Sequence, residues 1–446
     1  MYRRPHVICV AALVCQSGPA LAIREPGSAC GIRWGQNQFP PLQTLWSGES
    51  GWRWNALNSA SGAYGSTQCY SIDMMVLTRR GWLRHDEVQV GDQTVGYNET
   101  TGRSEWTPVT AVVHPGVHQV VRYGNSRVEF TTTPNHRWLM SEDTNPSAAK
   151  GFTRIQDRGK RDVLILAKEH HADDGLPITL EEAALLGWIA GDGWEEKARV
   201  SKATGRNAYC PHCGRGQKNR FRPATYFVSQ TKKENWDAIE AAIDGHGTVT
   251  RTREYSWHGQ ARDHREWRLS ATYARDLTER AGNPKTDCLN MVLRMSSDQR
   301  KAWLNAVFLA EGHEGHGSRS ISQNDGPVME AVKVAIYLEG YRPSINRRKE
   351  ADRQHELRVA FVKPTLMVRN PGFFYEDAGE QEVWCVTTEL GSFTAEQNGH
   401  IHLTGNSLPA SKMASAGDWR TNPATQIRWG LGYIKNTPGY GSPAVA

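Results

Sequence analysis

The chain has 446 residues, 38% hydrophobic and 22% charged, and a net charge of +6 that permits nucleic-acid contact without showing it. This hydrophobic fraction is too high for a disordered chain, while a mean hydropathy of −0.60 with no run of 18 apolar residues excludes a protein with several membrane spans. The length predicts about three domains at about 150 residues each, and eight unevenly spaced cysteines do not indicate a disulfide framework.

Residues 1–22 have the pattern of a signal peptide. Arg3 and Arg4 precede an apolar run over 7–14, and Ala20-Leu21-Ala22 supplies a small-x-small end. The apolar run is too short to span a bilayer. A poorly ordered terminus or a misassigned start is the alternative interpretation.

Residues 42–68 carry a second pattern. A helix is predicted to end at Glu49-Ser50-Gly51, and Asn55-Ala56-Leu57-Asn58 and a Ser-Gly-Ala-Tyr-Gly turn follow it. This arrangement resembles lysozyme-like lytic transglycosylases, which act on peptidoglycan. The resemblance implies that Glu49 protonates the glycosidic oxygen, a task that needs a carboxylic acid kept protonated in a desolvated pocket.

The continuation of that motif is displaced along the chain. Gln68 is followed by Cys69, and the expected Pro/Met-containing loop is found only from Ser407 onward. Pro423 then opens an amphipathic helix, with apolar residues at i, i+4 and i+7. The sequence therefore predicts a split, mainly α lysozyme-like host domain, made of 23–68 and 407–446, that is interrupted by residues 69–406.

The edges of the insert carry a separate resemblance. Four segments resemble, in order, the sequence blocks of intein Hint domains. The first block consists of 69–82 with 88–97, and the others are 131–136, 382–389 and 398–407. Alternating apolar residues around glycine turns in these blocks predict short β-strands. Together they predict an all-β Hint splicing domain formed by 69–165 and 366–406.

The resemblance implies self-splicing without a cofactor. Thr133 and His136 would stabilise the oxyanion and protonate the leaving nitrogen at the bond after Gln68. Ser407 would accept the acyl chain as an ester. Asn406 would then cyclise and release the insert, so that Gln68 becomes joined to Ser407.

Two thiols are candidates for the first attack. In the commonest splicing mechanism the nucleophile is the first insert residue, here Cys69. Inteins of a third mechanistic class use a Cys of a closing block, together with a Trp two residues after the block's His and a Thr two before the final Asn. Cys385, Trp138 and Thr404 match that set. We favour Cys385, with Cys69 as a relic or a parallel route; a buried core thiol is the alternative for Cys385.

The residue before Asn406 departs from the family pattern. It is usually His, but here it is Gly405. His400 and His402 are the nearby substitutes, and a strand would place them on one face. Ordinary strand histidines are the alternative interpretation.

The middle of the insert contains two apolar segments that end in acids. Residues 185–194 and 304–313 resemble the two LAGLIDADG helices of homing endonucleases. The resemblance implies that paired helices bring Asp192 and Glu311 together to bind a divalent cation, Mg²⁺, and that metal-activated water cleaves double-stranded DNA. Two buried helices that merely end in acids are the alternative.

An internal repeat favours the endonuclease interpretation. Residues 228–243 align with 321–336 at an offset of 93, and 266–271 align with 356–361 at an offset of 90. The two acids are 119 residues apart, so the first repeat must contain an insertion of 26 residues between Asp192 and Val228. We expect an α+β endonuclease domain over 166–365 with a pseudo-two-fold repeat.

Within that insertion, Cys210 and Cys213 resemble half of a zinc knuckle. Because no second C-x-x-C follows, tetrahedral coordination would need His212 or distant ligands such as Cys288 or His246. A basic exposed loop is the alternative interpretation.

The sequence thus predicts a multidomain protein with three nested units: a nuclease inside a splicing domain inside a host. The expected partners are double-stranded DNA for the nuclease and peptidoglycan for the spliced host, with no membrane-spanning partner. We expect cytoplasmic splicing and nuclease activity, and a secreted or virion-associated host. The rival interpretation is a secreted Hint-domain protein that cleaves itself without ligation.

Overall fold

A computed structural model describes residues 68–406 apart from 143, 146–148, 160, 202–219, 258–259, 316, 348–355 and 369–371. These residues are mostly β, with several helices. The predicted signal segment, both host segments with Glu49 and Ser407, and the Cys210–Cys213 pair lie outside the described residues.

The largest sheet is formed by both ends of the described chain. Its strands are β1 (Tyr70–Ser71), β2 (Met75–Thr78), β3 (Gly81–Leu83), β4 (Gln93–Asn98), β5 (Arg103–Asn125), β6 (Val128–Thr132), β21 (Phe374–Thr388), β22 (Ser392–Gln397) and β23 (His400–Gly405). They are ordered β21-β1-β6-β5-β4-β2-β22-β23, with β3 beside β2. Because β1 lies between β21 and β6, the first residues of the insert pair with strands from both predicted Hint segments.

A second, four-stranded sheet is also built from both predicted Hint segments. It consists of β7 (Arg137–Ser141), β8 (Ala149–Arg154), β9 (Val163–Ile165) and β20 (Thr365–Met367), in the order β20-β9-β7-β8. Ile165 pairs with Thr365, so the chain leaves and re-enters the sheet on neighbouring antiparallel strands. The intervening 199 residues, 166–364, are therefore inserted at a single point of this sheet.

The inserted segment contains all six described α-helices. They are α1 (Leu180–Asp192), α2 (Trp236–Ile243), α3 (Ala271–Ala281), α4 (Cys288–Arg294), α5 (Ser297–Glu311) and α6 (Pro327–Leu338). Within the described residues, no helix is long and apolar enough to cross a bilayer.

Two four-stranded sheets of the segment share one strand order. The first runs β10 (Gly193–Glu196), β13 (Thr225–Gln230), β15 (Gln260–Leu269) and β14 (Gly247–Trp257). The second runs β16 (Gly312–Gly315), β17 (Ser318–Asn324), β19 (Glu356–Val362) and β18 (Arg342–Arg347). A separate hairpin, β11 (Arg199–Ser201) with β12 (Arg220–Arg222), belongs to the first half alone.

The strand registers agree with most of the predicted repeat. Gly193 pairs with Val228 as Gly312 pairs with Ile321, which gives the expected offsets of 119 and 93. The offset of 90 at the next strand is wrong by two residues, because Trp267 faces Val228 while Val359 faces Ile321. A two-residue shift leaves the same side chains on the buried face, so the hydrophobic pattern could not distinguish the two registers.

One continuous hydrophobic core joins the helices to the large sheet. It contains most buried apolar residues of the six helices together with Leu77, Val95 and Ile401 of the sheet. The Tyr337 hydroxyl of α6 bonds the Thr394 hydroxyl of β22 at 2.9 Å. A second core, around Tyr70, Phe130, Trp138 and Phe393, lies beneath the junction end of the large sheet.

Candidate functional site

Strand pairing brings the start of the insert against the end of β6. Tyr70 pairs with Thr132 on one side and with Trp384 on the other. Beyond this pair, the backbone N–H of Thr133 donates to the Cys69 carbonyl at 2.9 Å, and the backbone N–H of Cys69 lies 3.1 Å from the Thr133 hydroxyl oxygen. The Thr133 hydroxyl therefore contacts the nitrogen of the Gln68–Cys69 peptide bond.

The two candidate thiols are in contact. Cys69 directly precedes β1 and Cys385 lies on the neighbouring strand β21. Their sulfur atoms are 2.9 Å apart, with the Cys69 thiol donating. Both are buried. Burial raises the pKa of Cys69, and the bond to Cys385 raises it further. Either thiol is thus close to the bond that precedes Cys69.

His136 faces the other end of the insert. Its Nε2 atom lies 2.5 Å from the hydroxyl oxygen of Thr404. Burial lowers the pKa of His136 to about 3, helped by His402 and Arg137, while the Gln68 backbone raises it. The ring is therefore neutral near pH 7.

Trp138 forms a wall of this centre. Its indole N–H donates to the Tyr123 hydroxyl at 2.7 Å, and its ring lies 5.3 Å from that of His136. The ring of Tyr70 packs edge-on against His136 at 4.7 Å. These aromatic contacts exclude water and fix the orientation of the imidazole.

Hydrogen bonds within the described residues hold the end of the insert. The backbone N–H of Asn406 donates to Gly391 at 3.1 Å, and its side-chain amide donates to the Thr388 hydroxyl at 3.3 Å. The guanidinium of Arg137 donates to the carbonyl oxygen of Asn406 at 3.3 Å. This carbonyl belongs to the predicted downstream splice junction.

Sequence reasoning missed Arg137, Thr388 and Tyr70. Arg137 lies between His136 and Trp138, which the motif had identified, and this position is the sequence feature that could have indicated its role. For the two candidate histidines, His402 is fully buried and 2.8 Å from the Tyr70 hydroxyl, whereas His400 is partly exposed. His402 is therefore the histidine that enters the centre.

A second candidate site lies where α1 and α5 end. Both helices begin with a capping box, from Thr179 and Ser296. A Cβ atom added to Gly187 would lie 2.4 Å from the Trp303 carbonyl, and one added to Gly191 would lie 2.7 Å from the Ala310 Cβ. Only glycine permits such close helix packing at these two positions.

This packing brings Asp192 and Glu311 together. Burial raises the pKa of Asp192 to about 6, and burial followed by the charge of Asp192 raises the pKa of Glu311 to about 7. Lys232 and Lys285 oppose both shifts. The paired acids are thus partly protonated near neutrality and would gain from a nearby cation.

Polar side chains surround the acids. Gln230 donates to Asp192 at 2.6 Å, Lys232 donates to the carbonyls of Leu309 and Ala310, and Lys285 donates to the carbonyl of Ala190 at 2.9 Å. Each ammonium group therefore lies at a helix C-terminus, where positive charge is favoured. In the described part of the chain, no group of three or more His, Cys, Asp or Glu side chains could hold a metal.

The distant zinc ligands suggested by the sequence have other contacts. Cys288 is buried, donates to the Pro284 carbonyl at 2.9 Å, and has a pKa raised to about 12 by burial. His246 stacks on Tyr273 with the ring centroids 4.0 Å apart. Cys288 thus packs as a core thiol in the described structure, and the zinc site at Cys210 and Cys213 stays a prediction.

Solved structures of two kinds are similar to this chain. The homing endonuclease I-DmoI is 14% identical with a TM-score of 0.26, and the match covers 41% of this chain and 88% of that chain. A DnaB intein from Synechocystis sp. PCC 6803 is 18% identical with a TM-score of 0.19, covering 23% of this chain and 70% of that chain. A DnaX mini intein from Spirulina platensis is 23% identical with a TM-score of 0.19, covering 23% and 71%. No family model and no curated protein matches the sequence.

Proposed function

We propose that residues 69–406 are an intein that excises itself and ligates Gln68 to Ser407. One observation carries the proposal: the short segment from Thr133 to Arg137 contacts both ends of the insert. Thr133 bonds the backbone of Cys69, and Arg137 bonds the carbonyl of Asn406. Self-splicing needs both junctions in one centre, and residues 69 and 406 are 337 positions apart in sequence.

The first step in this proposal is attack by Cys385 on the Gln68 carbonyl. The sulfur–carbon bond forms and the bond to the Cys69 nitrogen breaks, so the thiol proton must reach that nitrogen. Thr133, 3.1 Å from the nitrogen, holds it in position, and neutral His136 can take a proton and return it. Cys69, which donates its S–H to the Cys385 sulfur, stabilises the thiolate.

The second and third steps transfer the chain and release the insert. The Ser407 hydroxyl displaces Cys385 from the thioester, which forms an ester and restores the thiol. The Asn406 amide nitrogen then attacks its own carbonyl carbon, which forms a succinimide and frees the Ser407 amine. The Arg137 guanidinium bonds that carbonyl oxygen and would stabilise the negative charge that develops on it.

The last step distinguishes splicing from cleavage. The freed Ser407 amine attacks the ester carbonyl, which forms the Gln68–Ser407 amide and restores the hydroxyl. The presence of Ser407 directly after Asn406, and of two flanks that complete one motif, supports ligation over the rival of a secreted Hint protein that only cleaves.

Intact-mass analysis of the expressed full chain tests this proposal. We expect an excised insert of 338 residues and a joined host of 108 residues, less any signal peptide. Asn406→Ala should retain the insert on its downstream flank. Separate upstream and downstream fragments from the unaltered chain, or an inert precursor, would reject splicing.

We further propose that residues 166–365 are a LAGLIDADG homing endonuclease. The support is the pair of closely packed helices ending in Asp192 and Glu311, within two halves of matching strand order. The outward side of the first half carries Arg268 over Phe227 at 5.8 Å, and that of the second carries Arg358 bonded to Ser320. Such polar, basic faces suit a DNA backbone.

The residues at the helix ends fit a divalent cation. These two half-buried carboxylates, of which Asp192 raises the pKa of Glu311, are hard oxygen ligands, the type that Mg²⁺ prefers. When bound, Mg²⁺ would supply charge neutralisation and an activated water for phosphodiester cleavage. Asp192 and Glu311 would hold it, Gln230 would orient Asp192, and Lys232 and Lys285 would balance charge.

Nicking of an uninterrupted copy of the host gene tests the nuclease. Cleavage should require Mg²⁺, stop with EDTA, and be lost in Asp192→Asn and in Glu311→Gln. Glu181→Gln, an exposed residue in the first turn of the same helix, is the matched control and should cleave normally. Cleavage that persists in both acid variants would reject the assignment.

For the flanks, 23–68 and 407–446, we propose a lysozyme-like domain that cleaves peptidoglycan with Glu49 as the acid. The support is the motif that resumes at Ser407 after stopping at Gln68. If residues 1–22 are an export signal, splicing must precede translocation. Clearing of a cell-wall suspension by the spliced product, and not by its Glu49→Gln variant, tests this; equal clearing by both would contradict it.

A further inference from the structure

The turn between β21 and β22 lies against the last residue of the insert. The backbone N–H of Gly391 closes this turn by donating to the Thr388 carbonyl at 3.2 Å. The Asn406 backbone N–H donates to the Gly391 carbonyl at 3.1 Å, and the Asn406 side-chain amide donates to the Thr388 hydroxyl at 3.3 Å. The turn therefore bonds both nitrogen atoms of Asn406, the residue whose amide must cyclise in the proposed splicing reaction.

Neighbouring residues fix this turn in place. Gly391 has a φ of 73°, which glycine adopts without strain. The Ser392 hydroxyl accepts from the Tyr97 backbone N–H at 2.7 Å. A Cβ atom added to Gly96 would lie 2.6 Å from the Ser392 carbonyl oxygen, so β4 packs closely on the turn. Because Thr388 and Ser392 are also fully buried, the turn is a rigid support for the Asn406 side chain.

The hydrogen bonds of the Thr388 hydroxyl determine which atom of the Asn406 amide faces it. The hydroxyl has one proton, which it donates to the Ser392 carbonyl at 2.7 Å. Its oxygen accepts from the Ser392 backbone N–H at 3.2 Å. Towards Asn406 the hydroxyl therefore presents a lone pair, which an N–H can meet and a carbonyl oxygen cannot. The amide nitrogen, rather than the amide oxygen, is thus held against Thr388.

Cyclisation depends on this orientation. A succinimide forms only when the Asn406 amide nitrogen attacks the Asn406 carbonyl carbon, and a half-turn of the amide would exchange its nitrogen for its oxygen. Arg137 bonds the oxygen of that carbonyl at 3.3 Å, so the nucleophile and the electrophile are held by different parts of the structure. Gly405, the residue before Asn406, has no side chain to share this task. Holding reacting groups in one arrangement removes part of the entropic barrier.

We propose, on the basis of the splicing function above, that Thr388 is a positioning residue for release of the insert. Its hydroxyl fixes the orientation in which the Asn406 amide nitrogen is the nucleophile, and it exchanges no proton itself. In this step the bond between that nitrogen and the Asn406 carbonyl carbon forms, and the bond from this carbon to the Ser407 nitrogen breaks. The Asn406 amide loses one proton and the Ser407 nitrogen gains one.

Thr388→Val tests the proposal, because it keeps the shape of the side chain and removes the hydroxyl. The rate of release of the downstream flank is measured in a Cys385→Ala precursor. We expect Thr388→Val to lower this rate at least about tenfold, and Thr388→Ser, which keeps a hydroxyl, to restore most of it. Thr394→Val is the matched control. It removes another buried threonine hydroxyl, which donates to the Val95 carbonyl at 2.9 Å, and should leave the rate unchanged.

The upstream step separates positioning of Asn406 from damage to the fold. In an Asn406→Ala precursor, dithiothreitol-induced release of the upstream fragment should be as fast with Thr388→Val as without it. An equal loss in both steps, a downstream rate that is unchanged or faster, or a loss that Thr388→Ser does not restore would overturn the proposal.

Hydrogen exchange keeps the proposal falsifiable if Thr388→Val does not fold. Nitrogen-15 NMR of the Cys385→Ala precursor, recorded before release, should show one Asn406 side-chain amide proton protected from exchange. Rapid exchange of both amide protons would overturn the role of Thr388. If the unaltered chain splices while Thr388→Val releases the downstream flank at the parent rate, the inference is wrong and the splicing proposal stands; an unaltered chain that does not splice removes both.

Discussion

The sulfur atoms of Cys69 and Cys385 lie 2.9 Å apart although the two residues are 316 positions apart in sequence. The contact follows from the antiparallel pairing of β1 with β21. Tyr70 pairs with Trp384, and Cys69 and Cys385 are each the next residue beyond that pair. The two thiols that the sequence proposes as candidates for the first attack are therefore in contact. The Cys69 thiol is the donor of this bond and the Cys385 sulfur is the acceptor.

This geometry predicts different effects for the two cysteines. Cys385→Ala should abolish formation of the thioester, measured as dithiothreitol-induced upstream cleavage. Cys69→Ala should slow the same cleavage without stopping it, because Cys385 loses only a hydrogen-bond donor. Full-rate splicing of Cys385→Ala would contradict the mechanism, and would identify Cys69 as the nucleophile.

Removal of the Arg137 guanidinium should impair release at the downstream junction. Its hydrogen bond to the Asn406 carbonyl places a positive donor where charge develops during succinimide formation. We expect Arg137→Gln to slow downstream cleavage by roughly 100-fold, the range typical of one lost oxyanion donor. The rate is measured in a Cys385→Ala precursor, where upstream chemistry does not interfere. An unchanged rate would exclude this role, and Arg137→Lys should retain part of it.

The acid pair should destabilise the metal-free fold at neutral pH. The pKa values of Asp192 and Glu311 are raised to about 6 and about 7 in the folded chain. Between the ordinary carboxyl pKa and these raised values, the folded chain keeps protons that the unfolded chain has lost. Stability should therefore fall as the pH rises from about 4 to about 7. Asp192→Asn removes this penalty and should stabilise the metal-free protein by about 1–3 kcal/mol at pH 8, with no gain near pH 4. Urea unfolding at the two pH values measures the difference, and a gain independent of pH would contradict the assigned cause.

Gly191 should be required for the contact between α1 and α5. A Cβ atom there would lie 2.7 Å from the Ala310 Cβ, so Gly191→Ala must move the helices apart. We expect a loss of about 1–3 kcal/mol in stability, together with loss of DNA nicking as the acids separate. Gly326→Ala, which meets no atom within 4 Å, is the control. Normal nicking by Gly191→Ala would show that close packing is not needed.

Much of the fold could be predicted from residue patterns, because the signals were local. The ends of α1 and α5, the repeat offset of 93 and the strands around Thr133 follow from apolar periodicity and turn residues. The contacts of Tyr70 and Arg137 could not be predicted. Tyr70 meets His402 across 332 residues, and Arg137 meets Asn406 across 269, so only the strand order brings each pair together.

Sequencing of one tryptic peptide distinguishes ligation of the two flanks from cleavage alone. Cleavage after Arg53 and Lys412 of the spliced host should give residues 54–68 joined directly to 407–412, with Gln68 in an amide bond to Ser407. We expect this junction peptide in digests of the expressed chain and its absence from digests of Cys385→Ala. Recovery from the unaltered chain of a peptide that ends at Gln68, with no junction peptide, would mean that the insert cleaves without ligating, and would contradict protein splicing.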